Sequence, residues 1–279
     1  MAFFSLSQYL HSAWELLFPR RCLVCEQTLG EDEEHLCAAC LTQLPLSRLR
    51  GAAGNAVERL FYDLDATQRG SAFLFYRIDN AAYRLIHHMK YHNRPDVGVE
   101  LGRWMAYDLE NTDFFDDIDA LIPVPLSKKK QQKRGYNQSE RIAHGISSVT
   151  GIPVRTDFVI RMINNPTQTN LTPDQRRRNV EGIFSVTDAE ALQNVEKRNK
   201  KKQNVGKTER QNGNPEKGKN GCENIIQKPH FLLIDDVITT GFTLRSLAQT
   251  LMEATPLHLS FLGAALAGQH FNIFKQGAS

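Results

Sequence analysis

Apolar positions along this chain fall into two patterns, short unbroken runs and stripes at helical spacing. The runs are residues 72–78, 120–125, 158–163, 181–186, 231–234 and 257–267. Runs of this length, bounded by turn residues, read as strands, and 231–234 as a strand covered on both faces. The stripes are Leu6, Leu10, Trp14 and Leu17, then Ala82, Leu85, Ile86 and Met89, then Leu101, Trp104, Met105 and Leu109. Two more follow, Ile142, Ala143, Ile146 and Val149, and Leu244, Leu247, Ala248, Leu251 and Met252. Each predicts an amphipathic helix. Pro19 ends the first, and the third follows Pro95. Residues 46–71 are mixed and polar and read as a linker or a leading helix. Strands alternating with helices from 72 to 267 predict an α/β domain with a mostly parallel sheet flanked by helices.

Composition adds one qualification. The chain of 279 residues is 41% hydrophobic and 23% charged, the balance of a soluble globular protein with a substantial core. No apolar run approaches the ~20 residues that span a bilayer. The N-terminus lacks a basic region before its apolar part, so the expected compartment is the cytoplasm. The net charge of +3 conceals an uneven distribution. Residues 194–220 hold nine Lys or Arg against three Glu, a net +6, which leaves −3 for the rest. The surrounding stretch 191–229 is rich in Asn, Lys, Gln and Gly and poor in large apolar residues. It reads as a flexible insertion, or as a tether for phosphate backbones.

Four of the five cysteines form two pairs, Cys22-x-x-Cys25 and Cys37-x-x-Cys40, eleven residues apart. Two such knuckles supply four thiolates, the set for a tetrahedral zinc. With four thiolates bound no position remains for water, so the expected site is structural. The expected organisation is a helix and small zinc-ribbon-like module over 1–50, then one domain over 51–279 interrupted by the insertion 191–229.

The chemistry concentrates in FLLIDDVITTGFT, residues 231–243. The apolar run is followed at once by Asp235 and Asp236, expected where the strand leaves the sheet. Thr239, Thr240, Gly241 and Thr243 then lead into a helix. Such a loop offers unpaired N–H groups and hydroxyls to a phosphate, while the carboxylates can accept hydrogen bonds from ribose hydroxyls. Either feature alone is ordinary in a turn. Together they describe a ribose 5-phosphate site. A second cationic stretch, LSKKKQQKRGYNQ from Leu126 to Gln138, leaves the end of the 120–125 strand. It is expected as a loop at the sheet edge where ligands sit.

DDVITTGFT resembles the 5-phosphoribosyl-1-pyrophosphate (PRPP) motif of type I phosphoribosyltransferases. PVPL followed by RGYNQ, the paired cysteines, Lys90-Tyr91 and the segment 165–179 narrow the resemblance to the ComF-like (competence protein F) proteins. In 165–179, Gln168, Leu171, Arg176 and Asn179 match that family's lid, whereas Asn165 stands where the family usually has Thr. The resemblance implies a type I phosphoribosyltransferase fold with a zinc module in front, and displacement at ribose C1. Asp235 and Asp236 would hold the 2′ and 3′ hydroxyls. Thr239, Thr240, Gly241 and Thr243 would cradle the 5-phosphate. Lys128, Arg134 and Arg176 would screen pyrophosphate, with Mg²⁺ on its oxygens. It also implies a link to DNA uptake in competence, with single-stranded DNA or uptake proteins as partners. No residue identifies the acceptor. Two other expectations stand beside the enzyme, a non-catalytic nucleic-acid-binding accessory and a scaffold that docks through the zinc module and first helix.

Overall fold

The computed structural model describes residues 18–162, 182–192, 195 and 228–268. The first predicted helix, the lid segment with Gln168, Leu171, Arg176 and Asn179, most of the insertion, and Cys222 lie outside them.

Four parallel strands form the central sheet in the order β1-β6-β5-β2. They are β1 (Thr67–Tyr76), β2 (Ala120–Pro123), β5 (His230–Ile238) and β6 (His258–Ala267). Helices α2 (Ala81–Tyr91), α3 (Pro95–Leu109) and α5 (Gln138–Thr150) cover one face, and α6 (Phe242–Ala254) covers the other. Alternation along β5 shows why both faces must be covered. Leu232 and Ile234 join the core with α2, α3 and α5, while Phe231 and Leu233 join the core with α6. All four are fully buried, as expected of a central parallel strand. The remaining strands, β3 (Val159–Arg161) and β4 (Phe184–Val186), form a separate antiparallel pair.

Every predicted helix among the described residues forms, with its stripe facing inward. In α2 the buried residues are Ala82, Leu85, Ile86 and Met89, and Asn80 caps it by accepting from Tyr83 N. Helices α3 and α5 touch backbone to backbone. A Cβ on Gly102 would lie 2.1 Å from Ile142 O, and one on Gly145 2.0 Å from Val99 O. The sulfur-bearing module, with the short helix α1 (Ala38–Thr42), docks on the same face. Cys22, Leu23, Leu29, Leu36 and Cys37 share the core of α2 and α3, and Arg84 donates to Val24 O at 2.6 Å.

Three local expectations are corrected. First, β5 does not end before the acid pair but continues to Ile238, because β6 goes on pairing with it as far as Leu266. Second, the cationic loop is a helix, α4 (Lys128–Arg134). Lys, Gln and Arg are good helix formers, and Gly135, at φ 78°, supplies the left-handed residue that ends the helix. Third, of the two readings of residues 46–71 the leading helix does not form and the linker stands, but the strand expected from residue 72 starts earlier. A single 3₁₀ turn at Glu58–Leu60 precedes β1, which starts at Thr67, earlier than its apolar run.

Candidate functional site

The site lies where two neighbouring strands part company. The ladder between β2 and β5 reaches Pro123↔Ile234, with Val124 N donating to Ile234 O at 2.9 Å. Beyond it β2 is gone, while β5 continues beside β6. Asp235 and Asp236 therefore sit on a strand with one side open. Asp235 Oδ1 accepts from Asp236 N at 2.8 Å and from Ser139 Oγ at 3.2 Å. Lys90 Nζ, at the end of α2, donates to Asp236 Oδ1 at 2.9 Å. This pair is largely out of water, with side chains 20% and 15% exposed.

Burial, and then the neighbouring Asp236 charge, push the Asp235 carboxyl up to about 7. Its hydrogen bonds and Lys90 act in the other direction without cancelling this. Asp235 thus holds its proton to higher pH than an ordinary aspartate.

The next four residues turn the chain into α6. Gly241 has φ 72° and stands at the N-cap, so no side chain caps the helix. A Cβ at Gly241 would meet the Phe61 ring at 2.9 Å. Phe61 in turn stacks on Phe261 with centroids 3.8 Å apart. Thr239 and Thr240 are exposed and Thr243 is half-buried, beside an uncapped helix N-terminus that attracts anions. Arg245 braces this wall by pairing with Asp63 at 2.7 Å and donating to Leu60 O.

The RGYNQ residues mostly build scaffold. Arg134 donates to Gln138 Oε1 at 2.7 Å and lies over the Tyr91 ring at 5.5 Å. Tyr136 donates to Met89 O, which fixes the end of α2 that bears Lys90. Asn137 accepts from Ser139 N and donates to Val124 O, joining the end of β2 to α5. Lys130 reaches solvent, yet partial burial and then repulsion by Arg161 and Arg134 hold it below the ordinary lysine range, against Asp236. Lys128 is exposed on the first turn of α4.

Of the expected site residues, Asp235 and Asp236 lie near the end of β5, Thr239, Thr240 and Gly241 in the turn after it, and Thr243 in the first turn of α6. Arg134 is engaged by Gln138 and the Tyr91 ring, Lys128 is exposed on α4, and Arg176 lies outside the described residues. Two residues that contact the acid pair, Lys90 and Ser139, were absent from the expected set, as was the buried cation Arg161 on β3. Ser139 gave no sequence signal beyond its place after RGYNQ, and Lys90 only the Lys90-Tyr91 pair. Arg161 ends β3 at a half-buried position, where its Nε is buried and lacks a hydrogen-bond partner among the described residues. Its signal was a cation inside an apolar run. Burial holds its pKa below the ordinary arginine value, against the pull of Asp235.

The second centre is the cysteine cluster. The Sγ atoms of Cys22, Cys25, Cys37 and Cys40 all lie within 4.8 Å of one another, with Cys25 and Cys37 at 3.6 Å. A zinc about 2.3 Å from each sulfur would space them by about 3.8 Å, so the donor set fits a structural Zn²⁺. The knuckles are built by Cys22 N donating to Gln27 O, Glu26 N to Cys22 O, and Leu41 N to Cys37 O. Among the described residues no helix is long and apolar enough to cross a membrane.

Comparison with known proteins bears on both centres. The model of the Double zinc ribbon domain family matches residues 13–50. The four cysteines in that stretch suffice for one tetrahedral ion. Competence protein F of Haemophilus influenzae is 24% identical over 259 residues, 90% of this chain and 98% of that protein. The DNA utilization protein YhgH of Escherichia coli O157:H7 is 24% identical over 172 residues, 61% of this chain and 60% of that one. Among solved structures, glutamine PRPP amidotransferase from B. subtilis, complexed with ADP and GMP, is 17% identical. It covers 64% of this chain and 30% of that chain, with a TM-score of 0.36.

Proposed function

We propose, for a chain that is ComF-like over nearly its whole length, that the end of β5 and the turn after it bind a phosphorylated ribose, PRPP or a ribose 5-phosphate ligand. The observation that carries the reading is an acid pair near the end of β5 followed, five residues on at Gly241, by an uncapped helix N-terminus. Asp235 and Asp236 would accept from the 2′ and 3′ hydroxyls. Thr239, Thr240, Gly241 and Thr243 would take the 5-phosphate, with Gly241 allowing the backbone to come close.

The reaction class that suits this geometry is phosphoribosyl transfer to an acceptor that no residue identifies. Positive charge developing at C1 would be served by the carboxylates, and the departing diphosphate by Lys128, Arg134 and Arg176. Mg²⁺ is a hard cation that would supply charge neutralisation of the leaving group. Since Asp236 is already paired with Lys90, the oxygens to hold it would come chiefly from the ligand. In this reading Lys90 and Ser139 hold the carboxylates in place.

Calorimetric titration of PRPP with Mg²⁺ tests the proposal, using wild type, Asp235→Asn and Asp236→Asn. Binding that weakens in both variants is the expected result. Absent binding in wild type, or equal binding in all three, sinks it.

A second reading rests on the net +6 of residues 194–220, and on relatives named for competence and DNA utilization. Here the protein is a non-catalytic accessory of DNA uptake that binds single-stranded DNA through this segment. It predicts steeply salt-dependent binding that drops when 194–220 is deleted. Unchanged binding after the deletion removes this reading.

A further inference from the structure

The linker ahead of β1 holds four left-handed residues between positions 48 and 54. They are Arg48 at φ 56°, Arg50 at 43°, Gly51 at 68° and Gly54 at 70°. Glycine takes this conformation freely, but a residue with a Cβ keeps it only where its surroundings hold it. Here they do. Asn55 is buried, and its Nδ2 donates to Ala52 O at 2.7 Å and to Gly70 O at 2.6 Å. Its Oδ1 accepts from Val57 N at 2.8 Å and from Glu58 N at 3.3 Å. Ser47 Oγ accepts from Leu49 N at 3.2 Å and donates to Ala72 O. The loop is thus fixed on β1 by its own polar groups.

The fixed loop encloses a hollow of about 260 Å³. Leu49 and Ala56, both buried, give it an apolar floor, while Ala52, Ala53, Arg48 and Arg59 line it and reach solvent. Arg59 Nε donates to Gly54 O at 2.8 Å, which holds the guanidinium and leaves its terminal amino groups for a ligand. Arg48 has no hydrogen-bond or ion-pair partner among the described residues. None of the described residues that line the hollow is acidic. The carboxylates that touch the loop are taken, Glu58 by Gly54 N at 2.6 Å and Gly70 N at 3.3 Å, and Asp108 by Arg50 at 3.0 Å. An arginine that only meets water needs neither a left-handed backbone nor a tethered guanidinium. Two arginine forks over a small apolar floor match a ligand with two carboxylates and a short apolar body.

We propose that this hollow binds a short aliphatic dicarboxylate, with its charged ends on Arg48 and Arg59 and its methylene groups against Leu49 and Ala56. The site goes beyond the ribose reading, and none of the residues that line it belongs to the acid pair or to the turn after β5. It lies close along the chain to that turn, since Leu60 and Phe61, which follow Arg59, stand against Gly241.

The test uses the full-length, zinc-loaded chain and two probes, succinate and the monocarboxylate butyrate. Each is titrated into wild type, Arg48→Gln and Arg59→Gln, and the backbone amide signals are followed by NMR, with thermal melts of all three proteins. Succinate is expected to shift the amides of residues 49–56, and butyrate to do so roughly tenfold more weakly. Arg48→Gln should weaken succinate by roughly tenfold, to the level of butyrate, at an unchanged melting temperature, because the substitution breaks no contact among the described residues. Arg59→Gln also loses the bond to Gly54 O, so a lowered melt there leaves Arg48→Gln to decide. Succinate that leaves 49–56 unmoved in wild type, or that binds Arg48→Gln as it binds wild type, overturns the site. Shifts confined to Thr239–Thr243 overturn it too, and place the anion at the turn after β5 instead. The ribose reading is judged separately, by whether ribose 5-phosphate depends on Asp235 and Asp236.

Discussion

Asp235→Asn should stabilise the ligand-free protein, and increasingly so as pH rises. In the folded chain the Asp235 carboxyl is raised from the ordinary 3.8 to about 7, by burial first and by Asp236 second. Between those two values the folded state holds a proton that the unfolded chain has released. Each step up in pH through that window therefore costs stability. Below about pH 4 both states are protonated and the penalty is absent. Above about 7 both are ionised and it is complete. One pKa unit corresponds to about 1.4 kcal/mol, so a rise of roughly three units sets a ceiling near 4 kcal/mol. The hydrogen bonds that Asp235 accepts from Ser139 and Asp236 N survive in the variant, so the expected gain at pH 8 is about 2–4 kcal/mol. Asparagine keeps an Oδ1 that can accept from Ser139 and from Asp236 N, so the substitution removes charge and little else. Urea unfolding of zinc-loaded wild type and Asp235→Asn at half-unit steps from pH 4.5 to 8.5 measures the difference. The two curves should nearly meet at the acid end and diverge toward pH 8. A constant offset across the range, or a variant that is weaker at pH 8, would refute the reasoning.

Lys90→Met leaves Asp236 unpaired in a largely buried place and should cost about 2–4 kcal/mol at pH 7. Adding Asp236→Asn should recover most of that loss in urea denaturation, and strictly additive effects would show that the pair is not coupled. Gly145→Ala puts a methyl 2.0 Å from Val99 O, which forces α3 and α5 apart. A loss of roughly 2–3 kcal/mol is expected by the same measurement, and an unchanged midpoint would contradict the close packing. Metal analysis of purified protein should find about one zinc per chain. Because Cys22 and Cys37 belong to the core of α2 and α3, Cys37→Ser should lower the melting temperature by about 10 °C, the effect of a loss near 3 kcal/mol. Protein purified without zinc, or a Cys37→Ser melt equal to wild type, contradicts the structural role.

Legibility followed the range of the interactions. Helix faces such as Ala82, Leu85, Ile86 and Met89 were readable because their neighbours are three or four residues away, a spacing that backbone geometry sets. Boundaries were harder. The exit of β5 was placed at Ile234, the last apolar residue, yet pairing with β6 carries the strand through the carboxylates to Ile238. Charge cannot mark a strand end when a neighbour supplies the hydrogen bonds. Likewise a run of lysines and glutamines looks like a loop by polarity, but its propensity and the left-handed Gly135 make it the helix α4.

Taken by itself, the chain determined the α/β alternation, the four-cysteine ligand set and the acid pair beside a Thr/Gly turn. Each of these is written in contiguous residues, so local spacing suffices to state its chemistry. The partners of that chemistry were decided only by the tertiary structure. Lys90 meets Asp236 across 146 positions and Ser139 meets Asp235 across 96. Sheet order and helix packing bring these groups together, and the charge, burial and proton affinity of the site follow from that meeting.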